Sequence, residues 1–205
     1  MSFLKFIDKA GADSFVSGTM QFGRLKKYLE TEQKKCVGRY DEFENKFCTT
    51  KYQTPQGIPV KLIITPNREN VNYALCLYHL DDKRSTDRIT EMFEFGDYIV
   101  KIENEREFDR RIKSGATKNK YILYDRDIVY YRDKSIEDEK GVIDLMTKGF
   151  DYTSFAKREE IFSYQNEYRY LIADESANDD NIRFNIGSLK DIATIISKSE
   201  FLNTL

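Results

Sequence analysis

Ser163-Tyr164-Gln165-Asn166-Glu167-Tyr168-Arg169-Tyr170-Leu171-Ile172 alternates residue types with the two-residue period of a β-strand. One face of this predicted strand is mostly aromatic and suits a core; it carries Tyr164, Asn166, Tyr168, Tyr170 and Ile172. The opposite face carries Ser163, Gln165, Glu167, Arg169 and Leu171. A row of amide, carboxylate and guanidinium groups on one sheet face indicates either a ladder of salt bridges or the floor of a binding site. The pattern alone leaves both interpretations open.

Short strands outnumber helices in the rest of the chain, and they do not alternate with helices as regular βαβ units. Strands are predicted at residues 3–7, 19–22, 60–65, 72–80, 97–102, 181–186 and 191–197, and a hairpin at 121–132 turns at Asp125-Arg126. Helices are predicted at residues 8–17, 23–30, 104–114 and 152–160, and residues 31–56 are predicted to be irregular. This arrangement predicts one α+β domain spanning residues 1–205, with a twisted, mostly antiparallel sheet and flanking helices.

Composition limits the classes of function. The chain has 205 residues, and its 33 basic and 35 acidic residues give a net charge of −2. Such a balance disfavours charge-driven binding to nucleic acid or to an anionic membrane. There is no apolar run long enough to span a bilayer and no signal-peptide pattern at the start. A cytoplasmic protein without a membrane partner is therefore expected.

Metal-binding patterns are absent from the sequence. Cys36, Cys48 and Cys76 are odd in number and widely spaced, which predicts neither a disulfide framework nor a zinc site. The single histidine, His79, ends an apolar strand, and we interpret it as a strand-end histidine whose ring is satisfied by a backbone partner. No metal is predicted.

Two features resemble ADP-ribosyltransferases. Gln165-x-Glu167 before an apolar strand end resembles the catalytic turn and strand of these enzymes, especially of the bacterial exoenzymes that modify small GTPases. Phe3-Leu4-Lys5-Phe6, a short helix and Ser17-Gly18-Thr19-Met20-Gln21-Phe22 resemble the start of the DNA-modifying ADP-ribosyltransferase toxins. The resemblance implies NAD as cofactor. It also implies that Glu167 stabilises the oxocarbenium ion and that Gln165 positions the acceptor.

The chain is also similar to an uncharacterised bacterial and phage family. The shared motifs are Gly38-Arg39-Tyr40-Asp41-Glu42-Phe43-Glu44 and Lys157-Arg158 followed by Phe162-Ser163-Tyr164-Gln165-Asn166-Glu167-Tyr168-Arg169. This similarity implies an origin in a phage or mobile element and a role in phage defence or counter-defence.

The candidate cofactor-binding residues are basic. Transferases of this fold usually present His or Arg on the first strand, where this chain has Lys5. Arg24 or Arg39 would hold the pyrophosphate of NAD, and Arg169 completes the set.

Two hypotheses about function follow. The first is an NAD-dependent ADP-ribosyltransferase or NAD glycohydrolase, and the second is an inactive module that binds a nucleotide or a bacterial or phage protein. Binding to nucleic acid is disfavoured by the charge balance. Glu167 on an open cleft wall would favour catalysis, and Glu167 closed in a pair with Arg169 would favour a structural role.

Overall fold

The computed structural model describes residues 2–25, 48–53, 56–64, 72–80, 87–131, 135–136, 152–174 and 179–204. The strands are β1 (Ser2–Ile7), β2 (Thr19–Arg24), β3 (Cys48–Gln53), β4 (Pro59–Ile64), β5 (Asn72–Leu80), β6 (Tyr98–Ile102), β7 (Leu123–Asp127), β8 (Val129–Tyr131), β9 (Ser135–Ile136), β10 (Ala156–Arg158), β11 (Glu167–Ala173), β12 (Asn181–Asn185) and β13 (Ala193–Ser197). The α-helices are α1 (Lys9–Val16), α2 (Glu105–Lys118), α3 (Glu159–Phe162) and α4 (Lys198–Leu202). Short 3-10 helices lie at Ile89–Phe95, Tyr152–Phe155 and Ser163–Gln165.

The main sheet is built around β5 and has eight strands, all paired antiparallel. One edge of β5 pairs from Asn72 to Tyr78 with β11, which pairs in turn with β7. The other edge is shared: β1 pairs with the end of β5 at Tyr78–Leu80, and β2 pairs with its start at Tyr73–Ala74. The sheet therefore forks at β5 into one branch of β1, β6 and β13 and another of β2 and β12. The α+β class and the mostly antiparallel, twisted sheet predicted from the sequence are confirmed.

Both faces of the centre of this sheet are buried. On one face the largest core cluster packs Phe108 and Ile112 of α2 against Tyr170 and Ile172 of β11. On the other face Leu171 packs with Ala74 and Phe155 in a smaller cluster. The polar row of β11 therefore faces packed protein, because it shares a face with Leu171.

The ends of α1 follow from its sequence. The side chain of Asp8 caps the helix by accepting a hydrogen bond of 2.7 Å from the backbone N–H of Gly11. Gly18 follows the helix with φ +100°, and a Cβ at this position would lie 2.1 Å from the carbonyl oxygen of Gly187. Only glycine suits this turn, which leads the chain from the first branch of the sheet into the second.

Several predicted elements are wrong. Gly23 and Arg24 belong to β2, so the helix predicted at 23–30 does not begin there, and its remainder lies mostly outside the described residues. The segment predicted as irregular contains β3. No hairpin turns at Asp125-Arg126, because both residues lie inside β7 and pair with β11. The helix predicted at 152–160 is a 3-10 turn, the strand β10 and only then the start of α3.

Two further results concern the helices. The helix that starts after Asn104 continues beyond the predicted stop at Gly115 and ends at Lys118. None of the helices in the described part of the chain is both long and apolar enough to cross a membrane.

Candidate functional site

The Gln165-x-Glu167 motif lies at a turn that leads into β11. Ser163–Gln165 forms a 3-10 turn, and Asn166 follows in the left-handed region with φ 38° and ψ 47°. The predicted strand from Ser163 is thus wrong by four residues, since β11 begins only at Glu167. The backbone oxygen of Asn166 accepts a bond of 2.8 Å from the N–H of His79, and its side-chain amide donates to the hydroxyl of Tyr78 at 3.0 Å. These bonds fix the turn against β5.

Glu167 lies in a closed ion-pair network. Its Oε1 accepts from Nε of Arg169 at 2.7 Å, and its Oε2 lies 2.7 Å from Nζ of Lys157. The same Nζ donates to Oε1 of Gln165 at 2.9 Å. Exposed fractions are only 4% for Glu167, 1% for Arg169 and 6% for Lys157. Lys157 therefore joins the amide and the carboxylate of the motif inside the protein.

Neighbouring elements hold this network in place. Nη1 of Arg169 donates to the backbone carbonyl of Ser154, and the hydroxyl of Ser154 accepts from Nδ2 of Asn72 at 2.7 Å. The N–H of Glu167 donates to the hydroxyl of Tyr130 at 2.9 Å. The cluster is thereby packed between β5, β8, β11 and the 3-10 turn at Tyr152–Phe155.

The charges of the network set the protonation of its members. Burial acts to raise the pKa of the Glu167 carboxyl, but the neighbouring charges of Arg169 and Lys157 outweigh it and hold that pKa well below its usual range. Burial also raises the pKa of the Cys76 thiol to about 12, and the Glu167 carboxylate adds to that increase. Glu167 is thus ionised and Cys76 is a neutral thiol at physiological pH.

The other predicted site residues are dispersed. Nζ of Lys5 donates to the backbone carbonyl of Cys76 at 2.8 Å, at the part of the β5 edge between β1 and β2. Arg24 lies opposite Tyr73 in the strand register, and therefore on the sheet face away from Glu167. Arg39 lies outside the described residues. Of the six predicted residues, the structure brings together Gln165, Glu167 and Arg169, with Lys5 on a nearby backbone group, and it separates Arg24 from them.

Three residues of the network were not predicted: Lys157, Ser154 and Tyr130. Lys157 belongs to the motif Lys157-Arg158 quoted above, but no periodicity links it to Gln165 eight positions later. Ser154 contributes a carbonyl oxygen, which any residue has. The role of Tyr130 depends on strand pairing that the sequence does not reveal.

This geometry favours a structural role for Glu167 over a catalytic one. A carboxylate that stabilises a cationic centre in a substrate must present an oxygen to that centre. Here each oxygen of Glu167 contacts a cation of the protein itself. By the criterion stated above, the closed pair with Arg169 favours a structural role for the motif.

Comparison of the chain with protein-family models, with curated proteins and with solved structures gives no match. The resemblance to ADP-ribosyltransferases therefore depends on the sequence motifs alone.

Proposed function

We propose that this chain is a catalytically inactive binding module that recognises a nucleotide or a bacterial or phage protein. The observation that carries the proposal is the enclosure of Glu167, whose two carboxylate oxygens contact Arg169 and Lys157 in the protein interior. The similarity to a bacterial and phage family suggests a place for such a module in phage defence or counter-defence.

The residues expected to bind NAD do not support a reactive NAD site. Arg24 faces away from Glu167, and the ammonium group of Lys5 donates to the carbonyl of Cys76. Arg169, the nearest predicted binding residue, is 1% exposed and lies against Glu167 and Ser154. These three residues, which are the members of the predicted set that the structure describes, are dispersed, and this supports the proposal of an inactive module.

One observation favours the alternative, which is NAD-dependent ADP-ribosyl transfer or NAD cleavage. The side chains of Gln165 and Glu167 both contact the same cation, Nζ of Lys157. The two side chains of the motif are thus close together, although they are enclosed.

Substituting Glu167→Gln separates the two hypotheses through stability as well as activity. If the network is structural, the variant leaves Lys157 and Arg169 buried without their carboxylate and should lose about 3–5 kcal/mol of folding free energy. If Glu167 serves catalysis alone, stability should be nearly unchanged and turnover should vanish. Thermal unfolding and nicotinamide release from NAD are measured on the same preparations.

The matched control is Glu103→Gln, which changes an exposed carboxylate whose side chain is 57% exposed. This variant should unfold like the wild type, because exposed ion pairs contribute little. We expect no nicotinamide release from the wild type and a lower unfolding temperature only for Glu167→Gln. Release by the wild type that disappears in a fully stable Glu167→Gln protein would overturn the proposal in favour of NAD chemistry.

A further inference from the structure

The only histidine of the chain lies between two carboxylates on the sheet face opposite the Glu167 network. Nδ1 of His79 is 2.8 Å from Oδ1 of Asp127, and its Nε2 is 3.8 Å from Oε1 of Glu105. These residues belong to β5, β7 and the first turn of α2. The ring partner expected from the sequence was a backbone group, and this prediction is wrong, because the partner is the side chain of Asp127.

The imidazole is held in one orientation. Its ring lies 5.1 Å from the ring of Phe3 and 5.8 Å from that of Tyr168, measured between centroids. Asp127 accepts the proton of Nδ1, so in the neutral ring the lone pair is on Nε2. A carboxylate that fixes the far nitrogen of a histidine in this way is the usual support of a metal-binding imidazole.

Two atoms that carry lone pairs face each other on the side of the imidazole ring away from Asp127. Nε2 of His79 and Oε1 of Glu105 are both buried, and neither has a hydrogen-bond partner within the described part of the chain. Both atoms carry lone pairs, and burying them face to face is unfavourable without a positive species between them. The Glu105 side chain as a whole is 24% exposed, so this carboxylate lies close to the protein surface although its Oε1 atom is covered.

The distance between the two atoms indicates which positive species fits. A proton shared in a hydrogen bond would bring nitrogen and oxygen to about 2.7–3.2 Å. Two ligands of one tetrahedral zinc ion, with bonds of about 2.0–2.2 Å, lie about 3.4 Å apart. The observed 3.8 Å is closer to the spacing of metal ligands than to that of a hydrogen bond.

We propose that His79 Nε2 and Glu105 Oε1 bind a divalent transition-metal ion of the zinc type, with Asp127 as the residue that positions the imidazole. Imidazole nitrogen and carboxylate oxygen together suit this class of ion. Within the described residues no group of three or more His, Cys, Asp or Glu side chains could hold a metal. The proposed site therefore has only His79 and Glu105 as protein ligands, and its remaining ligands would be water molecules. Such an ion would join β5 to α2, with Asp127 of β7 acting only through the imidazole.

The experiment uses tag-free, chelator-treated protein, in which His79 is the only imidazole. Its single pair of ring carbon–proton resonances reports directly on the site during titration with Zn²⁺, and Co²⁺ serves as a paramagnetic probe. We expect a saturable shift with Zn²⁺ and a large paramagnetic shift or broadening with Co²⁺. Thermal unfolding should rise by about 5–10 °C with zinc at 100 times its dissociation constant.

Two variants and one control assign the ligands. Glu105→Gln should weaken zinc binding at least tenfold, and His79→Gln should abolish the zinc-dependent rise in unfolding temperature. Glu103→Gln, an exposed carboxylate two positions before Glu105, should bind zinc like the wild type. A His79 resonance that does not respond to either ion would overturn the proposal. So would a thermal shift that survives unchanged in Glu105→Gln and His79→Gln, since zinc would then be bound elsewhere.

Discussion

At the scale of single residues, Cys76 shows how the Glu167 network affects the pKa of a neighbouring side chain. Cys76 lies opposite Arg169 in the strand register, and burial together with the Glu167 carboxylate raises the pKa of its thiol to about 12. Only the thiolate reacts with alkylating reagents. At pH 8 a thiol with this pKa is ionised in about one molecule in 10,000. We therefore expect Cys76 to remain unlabelled by iodoacetamide in the native protein.

Peptide mapping by mass spectrometry after labelling at pH 8 separates Cys76 from Cys36 and Cys48. The control is the same reaction in concentrated urea, where Cys76 should label like an ordinary cysteine because the fold that raises its pKa is lost. Native Cys76 that labels as quickly as the urea-unfolded thiol would contradict the expected shift.

The residues of the site were predictable only in part. Gln165, Glu167 and Arg169 were found from alternation, because residues two apart on a strand share a face. That rule places Gln165 on the same side as Glu167, and Lys157 indeed contacts both side chains, although Gln165 lies in a 3-10 turn and not in the strand. Lys157, which joins Gln165 to Glu167, could not be found in this way. Its contacts come from a separate strand, and local periodicity carries no information about them.

At the scale of elements, the packing of Gly115 explains why the predicted end of α2 was wrong. Glycine is a frequent signal for the end of a helix, yet here it lies in the helix interior. A Cβ at this position would lie 2.6 Å from Cγ2 of Ile186 and 3.0 Å from the ring of Phe184. Glycine is needed for close packing of α2 against β12 rather than for a turn.

Substituting Gly115→Ala should therefore destabilise the protein. Alanine gains about 1 kcal/mol of helix propensity, but overpacking a filled core costs about 1–3 kcal/mol. We expect a net loss of about 1 kcal/mol in denaturant unfolding. Ser114→Ala, on the exposed side of the same helix, is the control and should be neutral or slightly stabilising. A Gly115→Ala protein more stable than Ser114→Ala would rule out the packing explanation.

Element prediction succeeded where one local signal was decisive. The apolar run of β5 gave its bounds correctly, Asn72–Leu80, and the Asp8 cap gave the start of α1. It failed at Asp125-Arg126, where the aspartate favours a turn. Both lie within a strand because β7 pairs with β11 more than forty positions along the chain. Long-range pairing therefore overrides the local preference there.

At the scale of the whole molecule, the fork of the main sheet makes β5 its structural centre. This strand is bordered by β11 on one edge and by β1 and β2 on the other. Its side chains enter core clusters on both faces of the sheet, with Leu75 and Leu77 on one face and Ala74 on the other. Opening β5 would separate both branches, so its opening should require unfolding of the whole sheet.

Native-state hydrogen exchange tests this central role. We expect the amides of β5 that bond to β11 to exchange only by global unfolding. Those of β12, which pairs only with β2 among the described strands, should exchange at least tenfold faster through local opening, a difference of about 1.4 kcal/mol or more. Mass spectrometry of peptides covering each strand, corrected for intrinsic exchange rates, makes the comparison. Equal protection of β5 and β12 would mean that the outer branch opens only with the centre, because the two would then form one cooperative unit.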